Sequence, residues 1–216
     1  MPAPPIDPVL PPEAGLLALH SSGAVLAVGW RSLETAAADR IAVFDPGRAL
    51  ANQLFDCVEA ICPAPAWGRL GRLAVAIGPG GFTSTRITVV LARTLAQQLQ
   101  VPLDGVGSFV LMAHRLALPQ PTWLVQELPR RGLVAGLYGP DPTCPGAVQE
   151  ILAPRLHADA AALAALHAAP QRLVPQDGAA DVAVLLDLAH QAHQAGRPAP
   201  WQPVLPLYAS SPVAGA

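Results

Sequence analysis

The sequence predicts an α/β protein with a larger N-terminal lobe and a smaller second one. Three observations carry that expectation. Short apolar runs bounded by turn residues recur at 16–30, 41–44, 73–77 and 101–106. Helical apolar periodicity fills the intervals between the later runs. Beyond Pro119, proline-broken and alanine-rich segments replace this alternation. At 216 residues, the chain is long enough to bury a core without disulfide staples.

The elements follow in order. LLALHSSGAVLAVGW, from Leu16, reads as a hairpin turning at Ser21-Ser22-Gly23, and IAVF at 41–44 as a third strand closed by Asp45-Pro46-Gly47. In RALANQLFDCVEAIC, the residues Leu50, Leu54, Cys57, Val58 and Ile61 form one apolar stripe, giving an amphipathic helix stopped by Pro63. LAVAI at 73–77 is short, continuous and glycine-bounded, as suits a strand buried on both faces. After Gly78-Pro79-Gly80-Gly81, Thr83 or Ser84 is placed to cap a helix running to Pro102, with more apolar surface than one sheet face hides. VPLDGV is an edge or parallel strand, and SFVLMAHRLAL a helix ended by Pro119. TWLVQEL and GLVAGLY flank Pro129-Arg130-Arg131-Gly132 as a hairpin, followed by a proline-interrupted loop at 139–147. Helices are expected at 158–169 and 181–195, and WQPVLPLYASSP has too many prolines for a central strand. The resulting division is a flexible proline-rich leader over 1–14, an α/β lobe over 15–119 and a smaller lobe over 120–216.

Composition narrows the function. Hydrophobic residues make up 52% and charged residues 13%, against about 25% charged in an average soluble domain. Such a surface favours a protein that hides area against a partner. All thirteen basic residues are arginine, so a P-loop lysine, a pyridoxal Schiff base and a Ser-Lys dyad are excluded. A net charge of −2 supplies no general footprint for nucleic acid. No run approaches the roughly 18 to 20 apolar residues of a membrane span, because His20, Arg86, Arg93 and similar residues interrupt every candidate. Cys57, Cys62 and Cys144 are odd in number and lack CxxC spacing, which reads as reduced thiols in a cytoplasmic protein without structural zinc. The opening residues lack the basic and apolar regions of a signal peptide.

The most specific stretch is Gly78-Pro79-Gly80-Gly81-Phe82-Thr83-Ser84-Thr85-Arg86, between a buried strand and a long helix. Free N–H groups at a helix start, with Arg86 one turn in, make a candidate phosphate or carboxylate cradle. The alternative is a tight strand-to-helix turn that binds nothing. The pattern is not GxGxxG, so a Rossmann site is unsupported.

GPGGFTSTR followed by an apolar helix and VPLDGVGSF resembles the GPGSFTG-(aliphatic)-R signature and the IPLVGVSSL element of the TsaB (YeaZ) family. LLALHSSG resembles that family's first strand, RALANQLFDCVEAIC its first helix, and VLPLYASS its closing strand. The resemblance implies an actin-like, Hsp70-like (ASKHA) fold of two lobes. It further implies a non-catalytic, cytoplasmic subunit of the machinery that makes N6-threonylcarbamoyladenosine beside the tRNA anticodon. The implied partners are TsaD, the catalytic paralogue; TsaE, through the complex; a second copy when TsaD is absent; and tRNA only indirectly, with no membrane. No cofactor is implied, a nucleotide having a place only at the junction with partners. The HxxxH metal motif of TsaD is absent, and His190 with His193 reads as a solvated helix face.

Several positions depart from the family pattern. His20 stands where the first strand usually ends in Asp, and a neutral imidazole does not replace a carboxylate toward magnesium. Gly81, Ser84 and Thr85 replace Ser, Gly and the aliphatic, and Arg130-Arg131 remain in the second hairpin where an acid is lost. The family associates through its first two long helices, so Leu50, Leu54, Cys57, Val58, Ile61, Val89 and Leu95 are the expected partner interface. A different class, a small peptidase or nucleotide hydrolase, would draw on Ser21, Ser22, Cys57 or Cys144 with a histidine, but neither a GxSxG elbow nor a Cys-His signature accompanies them. A homodimer of unrelated function is the third reading.

Overall fold

The computed structural model describes residues 13–144, 146–175 and 177–209. The first lobe has the expected element order: β1 (Gly15–His20), β2 (Leu26–Ser32), β3 (Arg40–Phe44), α1 (Leu50–Glu59), β4 (Leu70–Ala76), α2 (Phe82–Leu99), β5 (Leu103–Val106) and α3 (Ser108–Leu116). The strands form one sheet in the order β3-β2-β1-β4-β5. The meander β1 to β3 is antiparallel, while β4 lies parallel to β1 and to β5.

Alternation gives this sheet two unlike faces. Large side chains, Leu17, Leu19, Val28, Trp30, Leu73 and Val75, point to α1 and α2. Small ones, Ala18, Ala27, Ala74 and Ala76, point the other way with Leu16, against Val182, Leu185, Leu186 and Ala189. Gly29 continues the small face: a Cβ there would lie 2.9 Å from Leu186 Cδ1. The sheet edge is fastened by Arg72, whose Nε and Nη2 donate to the carboxylate of Asp104 at 2.6 and 2.9 Å while Nη1 reaches the Arg197 carbonyl.

The second lobe contains β6 (Thr122–Leu128), β7 (Gly132–Pro140), β8 (Val148–His157), α4 (Ala160–Leu166), β9 (Gln171–Leu173) and α5 (Gly178–Gln194). The order β8-β7-β6-β9 makes a second sheet, antiparallel except for β6 with β9. Phe109 and Met112 of α3 pack on it with Leu124, Val134 and Tyr138.

Structure and expectation part at four places. The 15–119 and 120–216 division is crossed, because α5 leaves the second sheet and lies on the small face of the first, against β1, β2 and β4. The segment 148–157, which carried no assignment, is a ten-residue edge strand; edge pairing tolerates Pro154, whose missing N–H would break a central strand. Side-chain caps set the helix starts: Asp159 accepts from Ala162 N–H and Asp177 from Ala180 N–H, so α4 begins at Ala160 and α5 at Gly178. The described part of the expected closing strand, 204–209, is irregular and bridges the lobes: Leu207 N–H donates to the Ile77 carbonyl and Leu156 N–H to the Ala209 carbonyl. The 1–14 leader lies outside the described residues save Glu13 and Ala14, and the Glu13 carboxylate accepts from the Ser32 and Thr35 hydroxyls. Among the described residues, no helix is long and apolar enough to cross a membrane.

Because Leu186 of α5 is fully buried against the first sheet, Leu186→Ala should destabilise the whole protein by about 3 kcal/mol. Chemical denaturation followed at a first-lobe tryptophan checks this; loss confined to second-sheet probes would argue against the crossed division.

Candidate functional site

The Gly78 to Arg86 loop joins β4 to α2 and is held by the β1–β2 turn. Gly81 N–H donates to the Ser22 carbonyl at 3.0 Å, and Ser108 N–H donates to the Gly78 carbonyl at 2.7 Å. Ser21 Oγ hydrogen-bonds both the Ser84 carbonyl (3.0 Å) and the Thr88 hydroxyl (2.7 Å). A Cβ on Gly80 would sit 2.1 Å from the Ser22 carbonyl oxygen, and one on Gly78, at φ +100°, 2.9 Å from that of Leu207. Close backbone approach on two sides therefore requires these glycines. The Gly78–Pro79 peptide is cis.

α2 starts at Phe82 with Gly81 as its N-cap, and the hydroxyls of Thr83 and Ser84 do not cap it as expected. Ser84 Oγ instead donates to the Gly81 carbonyl, and Thr85 N–H takes the same acceptor. Two cavities flank the loop. One, of about 450 Å³, is lined by Arg48, Gly81, Phe82, Thr83, Ser84 and Ile87, among others. The other, of about 180 Å³, lies between the lobes, with Pro79, Gly80 and Phe82 facing Gln126 and Arg131. Phe82 stacks on Tyr208 across its mouth at 4.8 Å. Arg86 is exposed and is not among the residues lining either cavity.

The seven expected interface residues are turned inward. Leu50, Leu54, Cys57, Val58, Ile61, Val89 and Leu95 all belong to the core between the helices and the first sheet. Their periodicity reports burial against this chain's own strands. The large apolar residues that α1 and α2 do present to solvent are Phe55, 52% exposed, Val90, 53% exposed, and, at the start of α2, Phe82.

The hydrolase candidates are likewise committed. Ser21 and Ser22 are buried, and burial raises the thiols of Cys57 and Cys62, the latter to about 11. Only Cys144 is exposed. Among the described residues, no group of three or more His, Cys, Asp or Glu side chains is arranged to hold a metal ion, His190 and His193 included.

Sequence reasoning singled out His20 but missed its surroundings. His20 ends β1 on the small face and is 1% exposed, with Nε2 3.9 Å from Oδ2 of Asp181 on α5. Asp181 Oδ1 accepts from Arg115 Nε on α3 at 2.8 Å, and Arg115 Nη2 donates to the Pro175 carbonyl. At their 3.9 Å separation neither His20 Nε2 nor Asp181 Oδ2 is hydrogen-bonded, and His20 Nδ1 likewise has no hydrogen-bond partner among the described residues. Desolvation, aided by the Arg115 charge, holds His20 down to about 4 and keeps it neutral at pH 7, whereas burial raises Asp181 despite Arg115. A carboxylate 161 residues away cannot be paired with His20 from local pattern.

The comparisons with known proteins agree with the resemblance. The sequence model of the family described as TsaD, tRNA N6-adenosine threonylcarbamoyltransferase, matches residues 51–131. The tRNA threonylcarbamoyladenosine biosynthesis protein TsaB of Bacillus subtilis (strain 168) is 46% identical over 44 residues, 20% of this chain and 19% of that protein. The matched stretch thus spans about a fifth of the curated relative. Two solved structures from Pseudomonas aeruginosa share the fold. One, described as an uncharacterized protein with similarity to peptidase YEAZ, has a TM-score of 0.68 at 22% identity, covering 91% of this chain and 100% of that one. The other, YeaZ, has a TM-score of 0.66 at 20% identity, covering 90% and 99%. The whole chain thus shares the fold of the two Pseudomonas aeruginosa structures, and a 44-residue stretch of it is similar in sequence to a TsaB protein.

Two outcomes follow from the geometry. Gly80→Ala drives a Cβ into the Ser22 carbonyl and should lower stability by about 2 to 4 kcal/mol, read by urea denaturation; a neutral effect would mean that the turn does not hold the loop. His20, near 6.5 when unfolded and about 4 when folded, binds more protons in the unfolded chain, so its stabilisation is complete above pH 6.5 and is lost as pH falls toward 4. Between pH 7 and 5, stability should fall by about 2 kcal/mol, and His20→Leu should flatten that slope. An unchanged slope would contradict the burial argument.

Proposed function

We propose that this chain, kin to the TsaB and YeaZ proteins, is the non-catalytic subunit of tRNA N6-threonylcarbamoyladenosine formation and acts by binding and supporting a catalytic TsaD subunit. The observation that carries this reading is the conjunction of a local match to a TsaB protein with a fold shared over nine-tenths of the chain with YeaZ. Three features support a binding role. The Gly81 amide donates to the Ser22 carbonyl and the Gly78 carbonyl accepts from the Ser108 amide, which ties the loop to the rest of the fold. The position that ends β1 carries a buried, neutral imidazole in place of a carboxylate. And α1 and α2 present Phe55 and Val90 to solvent after their main stripes are buried.

In this arrangement the chain supplies no reacting group. Its first sheet fixes α1 and α2 rigidly, and their outward residues offer preordered apolar anchors, which lowers the entropy cost of association. A nucleotide enters only at the junction with partners, tRNA is engaged through the complex, and the site of action is the cytoplasm. In the absence of TsaD, the same helices pair with those of a second copy.

The test is co-elution with light scattering of the chain and the TsaD subunit of the same organism. Phe55→Asp with Val90→Asp should weaken the complex at least tenfold, equivalent to about 1.4 kcal/mol, with an unchanged circular dichroism spectrum. Undiminished binding by a folded double variant would overturn the interface. Failure of the unmodified chain to bind TsaD at all would overturn the function.

A further inference from the structure

The second sheet is covered unequally. Its inner face packs on α3, while its outer face, formed by Trp123, Val125, Ala135 and Leu137, is covered among the described residues by the seven-residue α4 through Leu163 and by Ala169. Strand register places Leu152 beside Leu137 and Leu173 beside Val125 on that outer face. Leu152 is exposed, as are Leu173 and the Leu166 of α4, the last at 62%. Between β8 and α4 lies a cavity of about 210 Å³, lined by Trp123, Leu152, Ala153, Arg155, His157 and Leu166. Its floor is rigid: Trp123 is 1% exposed, its Nε1–H donates to the His167 carbonyl, and His157 meets its ring edge-on at 5.9 Å.

Charge decides the occupant. Arg155 is exposed at the rim and makes no ion pair among the described residues, and His157 Nε2 is buried without a partner. The neighbouring carboxylates are turned elsewhere or occupied. Glu150 accepts from the Tyr138 hydroxyl on the inner face, and Asp159 caps α4. Glu127, on the outer face by register, stands two strands from His157. A preformed apolar pocket with a tryptophan floor and an uncompensated guanidinium at its edge fits a side-chain anchor with a carboxylate beside it.

We propose that this outer pocket is a docking site for an acidic–apolar segment of a partner protein, with a Leu or Phe seated between Leu152 and Leu166 above the buried Trp123 and a flanking Asp or Glu paired with Arg155. The site is separate from α1 and α2, so occupancy of those helices leaves it available.

The test uses the full, isotopically labelled chain and two acetylated hexapeptides, Glu-Asp-Leu-Phe-Glu-Asp and its counterpart with every acid replaced by lysine. The acidic peptide should shift the Trp123 indole and the Leu152 and Leu166 methyl resonances saturably, at least tenfold more tightly than the lysine peptide. Arg155→Glu should reverse that preference, and Leu166→Asp should abolish both interactions. Absence of shifts at millimolar peptide would overturn the proposal, as would equal binding of the two peptides. So would shifts at these residues that depend on protein concentration alone, because the face would then belong to a second copy.

Discussion

The backbone of Gly80 lies against the carbonyl of Ser22, and the first lobe is organised around that contact. It fastens the turn between β1 and β2 to the start of α2, two segments about sixty residues apart, with no side chain between them. The hydroxyls of Ser21 and Thr88 close the same junction from within. Gly78 extends it, because its carbonyl receives the first amide of α3 and its Cα admits the carbonyl of Leu207. One loop thereby sets the start of two helices and the path of the C-terminal segment. The glycines of this loop are required where neighbouring backbone approaches, at the carbonyls of Ser22 and Leu207.

The second organising constraint is the unequal size of residues on the two faces of the first sheet. Leu and Val on one side need the broad cover of α1 and α2. Ala and Gly on the other let α5 approach closely, which draws a helix from the second half of the chain onto the first lobe. His20 belongs to that small face, so α5 brings Asp181 beside it and α3 brings Arg115. The result is a polar cluster in which the imidazole stays neutral. A group so placed contributes to stability and its pH dependence, and it offers no carboxylate to a metal–phosphate.

Much of this was legible in the residues. The Ser21-Ser22-Gly23 hairpin, the IAVF strand, the central LAVAI strand and the second hairpin around Arg130-Arg131 follow from alternation and turn chemistry, and each is present. The GPGGFTSTR motif located the junction correctly but left its role open, because spacing does not reveal which carbonyl occupies a given N–H. The stripe from Leu50 to Ile61 was legible as a buried face, yet periodicity cannot say whether a helix is buried by its own sheet or by a partner. β8 was hidden by Pro154, a residue that reads as a breaker unless the strand is known to be an edge. The return of α5 was hidden because alanine in a strand reads as merely apolar, when here its small size is the signal.

Both constraints meet at the junction of the β1–β2 turn with the loop before α2, where backbone and hydroxyl contacts close the packing. The most direct measurement is native-state amide hydrogen exchange, resolved by residue, at Gly81, Thr85 and Ser108, with and without millimolar phosphate or ATP. Amides bound to internal carbonyls should exchange as slowly as those of β4 and respond to neither additive. Rapid exchange that slows on addition of phosphate or ATP would contradict the account, because the loop would then be an anion cradle with free donors.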